Sequence, residues 1–387
     1  MTTIQESELL PIVTQIIGRP VANSLTWELQ PFEVQGGRVA GAVGLVRLIG
    51  TAQVAGETIP WSVIVKIIRK PEPANDPTGF AHIPAASNFW QREILAYQSG
   101  ILTDLVANLV APRCYGINEQ ADGEWRIWLE DITEKPKSWT LERYGIAASH
   151  LGQFNGSYLA GRPLPSEQPW AYRGRSYEWV DFAATIVEPF RRYAATAQGK
   201  RGLSAQSVAR IEALLANAQP LQRLLRRLPL CLCHHDAFRR NLMARDLGDC
   251  AFQTVAIDWS MLGYGAVGAE IGILTASSLN WMEVAGIHAR ELDQFIFDGY
   301  LAGLRDAGWQ GDPRLARFGY TATAALAIGV ARAMISAAFV WSNEEQARKE
   351  VAIIGHSRDA VHDQQALVQP FLLDLGDEAL QLMDDLK

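Results

Sequence analysis

A two-lobed α+β fold is what this sequence predicts: a small antiparallel sheet lobe carrying one helix, followed by a larger, mainly helical lobe. Three observations predict it. From about residue 25 to 131 the text is strand-like, with apolar β-branched runs broken by glycine. After about residue 132 it takes on the 3.6-residue periodicity of amphipathic helices. One β-like island, "LPLCLCHH", "NLMAR" and "CAFQTVAID", interrupts those helices and contains the dense stretch "CLCHHDAFRRN" at 231–241.

Taken in order, "TWELQPFEVQGG" and "AVGLVRLIGTAQV" read as strands, and "AGE" as a turn into the strand "TIPWSVIVKIIRK". The segment "ASNFWQREILAYQSGIL" reads as the inserted helix, with Phe89, Ile94, Leu95 and Tyr97 near a helical period. "VAPRCYGINEQADGEWRIWLEDI" reads as strands turning at "NEQADGE". Helices follow at "LERYGIAASHLGQFNGSYLAG", "YEWVDFAATIVEPFRRYAATAQ" and "SAQSVARIEALLANAQPLQRLLRRL", and again after residue 290. No internal repeat or flexible linker is visible, so the expected lobes are 1–131 and 132–387.

Composition narrows the function classes. The 387 residues carry 35 basic and 42 acidic side chains, a formal charge of -7. An acidic chain without basic runs is poorly suited to a phosphate backbone, which argues against nucleic acid as a partner. Cys114, Cys231, Cys233 and Cys250 form no disulfide framework. The start "MTTIQESELLPIV" lacks the basic and apolar regions of a signal peptide. Tyr320–Trp341 is the most membrane-like stretch, but Arg332 sits at its middle, so it is expected to be a buried helix. A cytoplasmic protein without a membrane partner is expected; nothing in the sequence indicates an oligomeric state.

Moving a γ-phosphoryl group requires a loop over the phosphates, a cation, a group holding that cation, metal ligands, and a base beside the acceptor hydroxyl. Each part has a candidate here, in a consistent order. Lys66 lies in the apolar strand "SVIVKII", where an unpaired ammonium is costly to bury. Glu93, on the following helix, could hold it. Alone, each is equally well read as a solvated side chain. Asp236 and Asn241 lie five residues apart in "HHDAFRRN", and Asp258 ends the strand "FQTVAID". A carboxylate at a strand end suits a hard cation such as Mg²⁺; alone, Asp258 could equally be a turn residue. The ordered set of five is the stronger signal.

These residues give the chain its resemblance to the aminoglycoside phosphotransferase and choline-kinase-like phosphotransferases, which have a protein-kinase-like fold. It is carried by "VIVKII", "WQREILAY", "WLEDIT", "HHDAFRRNLMAR" and "VAIDWSMLGYGAVGAEIG", over roughly residues 35–275. The resemblance implies ATP, with GTP as an alternative, Mg²⁺, and phosphorylation of a small-molecule alcohol. It implies Asp236 as catalytic base, Asn241 and Asp258 as metal ligands, and Lys66, oriented by Glu93, on the α- and β-phosphates. Backbone groups of Glu130, Asp131 and Ile132 would meet the nucleobase. In "QGGRVAGAVG", Gly41 and Gly44 are the candidate phosphate contacts, beside Gly36 and Gly37, without kinase spacing. His235 stands where the family usually has glycine and would crowd or gate the acceptor, and Trp259 follows Asp258.

The same residues admit other readings. A zinc site from Cys231, Cys233, His234 and His235 has the right donors, but strand alternation sends the two thiols to one face and His234 to the other. A serine or cysteine hydrolase lacks its G-x-S-x-G elbow. A pseudokinase-like nucleotide-binding regulator is the non-enzymatic alternative. From residue 259 onward 17 acidic residues face 9 basic ones, which suits either a cationic acceptor or a solvated surface. Trp170, Tyr172, Tyr177 and Trp179 could stack on a sugar, cage an ammonium or pack in the core. Nothing selects the acceptor.

Overall fold

Alternating apolar residues in "AVGLVRLIG" and "IPWSVIVKII" build two long strands, and the rest of the first lobe assembles on them. The computed structural model describes residues 4–21, 25–31, 41–72, 80–106, 108–136, 138–166, 168–248 and 251–386. A helix α1 (Glu6–Ile17) precedes strands β1 (Leu25–Pro31), β2 (Ala42–Val54) and β3 (Glu57–Arg69). Then come the short helix α2 (Arg92–Gln98) and strands β4 (Leu109–Val110), β5 (Cys114–Glu119) and β6 (Glu124–Leu129). Five of these strands form one antiparallel sheet in the order β1-β2-β3-β6-β5.

The sheet has two apolar faces because β3 is apolar at both parities. Leu48, Val63, Val65 and Trp128 pack against Leu9, Ile12 and Val13 of α1. Ile68, Ile127 and Leu129 pack against Ile94 of α2 on the opposite face. That second face also carries Lys66, opposite Ile127.

The second lobe begins with α3 (Leu141–Leu159), whose N-cap Thr140 accepts the Arg143 N–H. The helix Ala289–Asp306 lies so close to α3 that a Cβ on Gly303 would sit 2.0 Å from the Ser149 carbonyl oxygen. Strands β7 (Leu230–Cys233) and β10 (Gly263–Ala266) pair antiparallel. Strands β8 (Leu242–Gly248) and β9 (Ala251–Ala256), from the β-like island, pair antiparallel. The two-lobed α+β fold expected from the sequence is thus the fold observed.

Three details differ from expectation. Helix α1 was not foreseen, although Leu9, Ile12 and Val13 lie at helical spacing. Leu109–Val110 pairs not with the large sheet but with Thr254–Val255 of β9, in parallel. Helix α2 is far shorter than the predicted run, because residues 84–87 fold back onto the Arg92 side chain. The long helical stretch Pro313–Trp341 is apolar enough to cross a membrane by composition, yet 78% of its most apolar window is buried inside the molecule. Gly36, Gly37 and Cys250 lie outside the described residues.

Candidate active site

Five residues flagged by sequence arrive from four separate elements at the junction of the two lobes. Lys66 projects from β3 and is buried, with only 12% of its side chain exposed. Its Nζ donates to Asp258 Oδ1 at 2.9 Å and forms an ion pair with Glu93 Oε2. Glu93, on the first turn of α2, also accepts the Trp259 N–H at 3.3 Å. One ammonium therefore ties the sheet, α2 and the segment after β9 together.

Electrostatics follow from that geometry. Burial lowers the Lys66 pKa, but the Asp258 and Glu93 carboxylates outweigh it, and the net direction is upward. Burial pushes Asp258 up, but the Lys66 charge and hydrogen bond, a Ser260 hydrogen bond and His234 together bring it down to about 2. Both groups are charged at neutral pH. Asp258 also sits in the left-handed region at φ 58°, a conformation Asp tolerates better than most residues. It lies just beyond β9 rather than within it, which aims its carboxylate back at Lys66.

Asp236 and Asn241 form the second half. Asn241 Nδ2 donates to the Asp236 carbonyl at 3.0 Å and to Asp236 Oδ2 at 2.9 Å. The Asn241 carbonyl accepts the Ile257 N–H at 2.9 Å, which places Asn241 beside the residue that precedes Asp258. With its NH₂ turned to Asp236, the Asn241 amide oxygen is directed elsewhere, and Asp258 is 31% exposed. Two hard oxygen donors at adjoining strand ends fit a Mg²⁺ ion that completes its shell with water and phosphate oxygens. Among the described residues no group of three or more His, Cys, Asp or Glu could hold a metal on its own.

That result also removes the zinc reading of 231–235. The Cys231 and Cys233 sulfurs lie 3.7 Å apart on one buried face, as strand alternation requires. The His234 ring instead meets the Ile257 carbonyl through Nε2 at 2.8 Å and accepts the Asp236 N–H at Nδ1. This pattern requires the Nε2–H tautomer and makes His234 an anchor of the loop. His235 adopts φ 62°, a left-handed conformation that glycine takes without strain. Its ring is buried, 5.4 Å from Tyr172 in an edge contact, and a Cβ on Gly265 would lie 2.7 Å from it. It packs inward, between Tyr172 and Gly265.

Several residues that position the site were not flagged by sequence. Glu270, fully buried, accepts the His234 and His235 N–H groups at 2.8 and 3.0 Å, clamping the loop that presents Asp236. Burial pushes its carboxyl up to about 7, against the pull of hydrogen bonds from those amides, Cys233 and Asn155. A carboxyl raised in the folded state contributes stability that is present below about 4.5 and is lost as pH rises through about 7. Wild-type protein is therefore expected to lose stability between pH 5 and 8 relative to Glu270→Gln, and parallel melting profiles would contradict this.

Arg92 has no exposed surface and donates to five carbonyls. Pro84, Ser87 and Ala86 belong to the loop before α2; Trp170 and Ser260 belong to the second lobe, at 2.7 Å each. Burial lowers its pKa to about 10, opposed by Tyr172 and Glu178, so it remains charged. Arg92 thus pins the helix that carries Glu93 to the turn that carries Asp258. Lysine cannot reach five acceptors, so Arg92→Lys is expected to cost more than about 3 kcal/mol in a denaturant titration.

The remaining candidates divide. Glu130 is committed elsewhere: its N–H bonds the Arg113 carbonyl, and its carboxylate takes the Arg113 N–H and Arg245. Its backbone N–H is thus engaged within the sheet, and Asp131 and Ile132 follow directly at the exit of β6. Gly41, at φ 92°, packs against Arg69 and Trp90, and Gly44 packs against Ile67, so both have a packing reason independent of phosphate. Trp170 and Tyr172 are core residues, and Tyr177 lies under Arg226. Much of the C-terminal acidic surplus is paired locally, as Arg317 with Asp293 and Glu378, or Arg210 with Asp374 and Asp377.

Comparison with known proteins bears on this geometry. The family model of the phosphotransferase enzyme family matches residues 143–311. No curated protein matches the chain. Among solved structures, amicoumacin kinase hAmiN in complex with AMP-PNP, Ca²⁺ and Ami is 11% identical, with 93% of this chain and 94% of that one covered at a TM-score of 0.46. An aminoglycoside phosphotransferase from Alicyclobacillus acidocaldarius is 12% identical, with coverages of 86% and 90% and a TM-score of 0.48. Plasmodium vivax ethanolamine kinase is 12% identical, with coverages of 90% and 83% and a TM-score of 0.46. Lys66 and Glu93 lie outside the matched segment and reach it only through the fold. Asp236, Asn241, Asp258 and Glu270 all fall inside residues 143–311, the segment that matches the model of the phosphotransferase enzyme family.

Proposed function

We propose that this protein transfers the γ-phosphoryl group of ATP, taken as its Mg²⁺ complex, to a hydroxyl of a small-molecule alcohol. The observation that carries the reading is the pair of linked clusters: Lys66 held between Glu93 and Asp258, and Asp236 held by Asn241 one strand end away. Phosphoryl transfer asks a protein mainly for positioning and charge, and these clusters supply both. Lys66 meets the phosphates, and Glu93 fixes its direction. Asn241 and Asp258 hold the Mg²⁺, which when bound neutralises phosphate charge. Asp236 orients the acceptor hydroxyl and accepts its proton. Asp131 and Ile132 flank the nucleobase, and Gly41 and Gly44, at the start of β2, contact the phosphates. A protein drawing on ATP in this way works in the cytoplasm.

The structure singles out no acceptor class, because much of the acidic surplus is locally paired and two of the four candidate aromatics are core. Nucleoside triphosphate consumption over aminoglycosides, macrolides, choline, sugars, amino-alcohols and nucleosides, with ATP and GTP in parallel, tests the proposal. Turnover dependent on both Mg²⁺ and one alcohol class supports it. Nucleotide binding without turnover across the whole panel would favour a regulatory nucleotide-binding protein instead.

A further inference from the structure

Arg47 lies on β2 directly opposite Ile64 of β3, two residues from Lys66. Direct antiparallel partners share a face, so Arg47, Ile64 and Lys66 all stand on the side of the sheet that meets the second lobe. Leu129, the partner of Ile64 on β6, shares that face, and Asp131 follows it by two residues. A side chain reaching from β2 to β6 must pass beneath β3, a span of about 10 Å. Arg47 makes that span: its Nε lies 2.7 Å and its Nη2 2.6 Å from Asp131 Oδ2. Its guanidinium therefore lies under the sheet, between the Lys66 end and the point where the chain leaves β6.

Exposure of the pair is unequal. The Asp131 side chain is 7% exposed and that of Arg47 is 37% exposed. The carboxylate is closed off while the cation keeps an open side. Moving Arg47 away, for example to follow phosphate groups, would strand a buried carboxylate without its partner, which is costly. The pair thus holds a planar group in one place beforehand.

We propose that Arg47, locked by Asp131, is the platform on which the base of the nucleoside triphosphate stacks. The inference rests on the phosphotransfer reading, in which Lys66, Asn241 and Asp258 fix the phosphate end, so that the base lies further along the sheet toward Asp131. A guanidinium is planar and weakly hydrated, and it stacks well on aromatic faces. Holding it in advance removes the ordering cost from binding. Asp131 then acts by positioning Arg47 rather than by touching the base with its carboxylate.

The test compares ligands with and without a base. Dissociation constants of MgATP, MgGTP and Mg²⁺-tripolyphosphate are measured by calorimetry on the full chain, for wild type, Arg47→Met, Arg47→Lys and Asp131→Asn. Arg47→Met is expected to weaken the tighter-binding nucleotide about 10- to 100-fold, the range of a lost base stack, and tripolyphosphate less than about two-fold. Arg47→Lys keeps the charge without the plane and is expected to follow Arg47→Met, while Asp131→Asn is intermediate and likewise confined to ligands with a base. Equal losses for nucleotide and tripolyphosphate would make Arg47 a phosphate contact and overturn the inference. So would unchanged or tighter nucleotide binding, which would make the pair a strap across the site. If wild-type protein binds none of the three ligands, the phosphotransfer reading itself fails, an outcome distinct from any pattern among the variants.

Discussion

Asp236→Asn is expected to abolish phosphoryl transfer while leaving affinity for the magnesium nucleotide within a few-fold. The structure makes this substitution a clean one. Asn241 donates to Asp236 Oδ2 and to the Asp236 carbonyl, and an asparagine at 236 retains an oxygen for the first bond and the whole of the second. The loop's other anchors, the Glu270 clamp and the His234 contacts, do not involve the Asp236 carboxylate. What the substitution removes is the negative charge and the capacity to take a proton. General-base assistance contributes about 10²- to 10⁴-fold, so the residual rate should be near background in a coupled ADP-release assay. Normal turnover in the variant would remove Asp236 from the reaction.

Asp258→Asn should eliminate the Mg²⁺ dependence of nucleotide binding. Asparagine tolerates the left-handed backbone at this position, so the local conformation survives where alanine would add strain. The carboxylate is held at about 2 by Lys66 and its neighbours, so wild-type protein presents a full negative charge to the cation at any working pH. Losing that charge removes the carboxylate proposed to hold the metal and one of the two partners of Lys66. Calorimetric titration of ATP with and without Mg²⁺ is expected to show a large Mg²⁺ effect in the wild type and little or none in the variant. Retention of the Mg²⁺ effect would take Asp258 out of the metal shell.

Much of the site was legible because its residues are locally conspicuous. A lysine inside an apolar strand, a carboxylate at a strand end and a histidine-aspartate-asparagine loop each break the pattern around them. Lys66, Asp236, Asn241 and Asp258 therefore stand out in the text as candidates. Residues that hold the site had no such contrast. Arg92 sits on a helix where arginine is ordinary, and its five acceptors are backbone carbonyls spread from residue 84 to 260. Arg47 looks like a solvated strand residue until its partner, 84 positions later, is placed under the same sheet face. Glu270 left a faint signal, a lone acid among small apolar residues in "GAVGAEIG". Strand pairing was hardest: two residues of β4 joining β9 across more than a hundred positions carry no local mark.

Phosphorus NMR of an ATP, Mg²⁺ and alcohol panel incubated with the wild type and with Asp236→Asn addresses the central claim most directly. Loss of the γ-phosphorus signal with the appearance of one new phosphate monoester, in the wild type alone, is the predicted result. An unchanged spectrum across the whole panel, or the same monoester formed at the same rate by the variant, would contradict it.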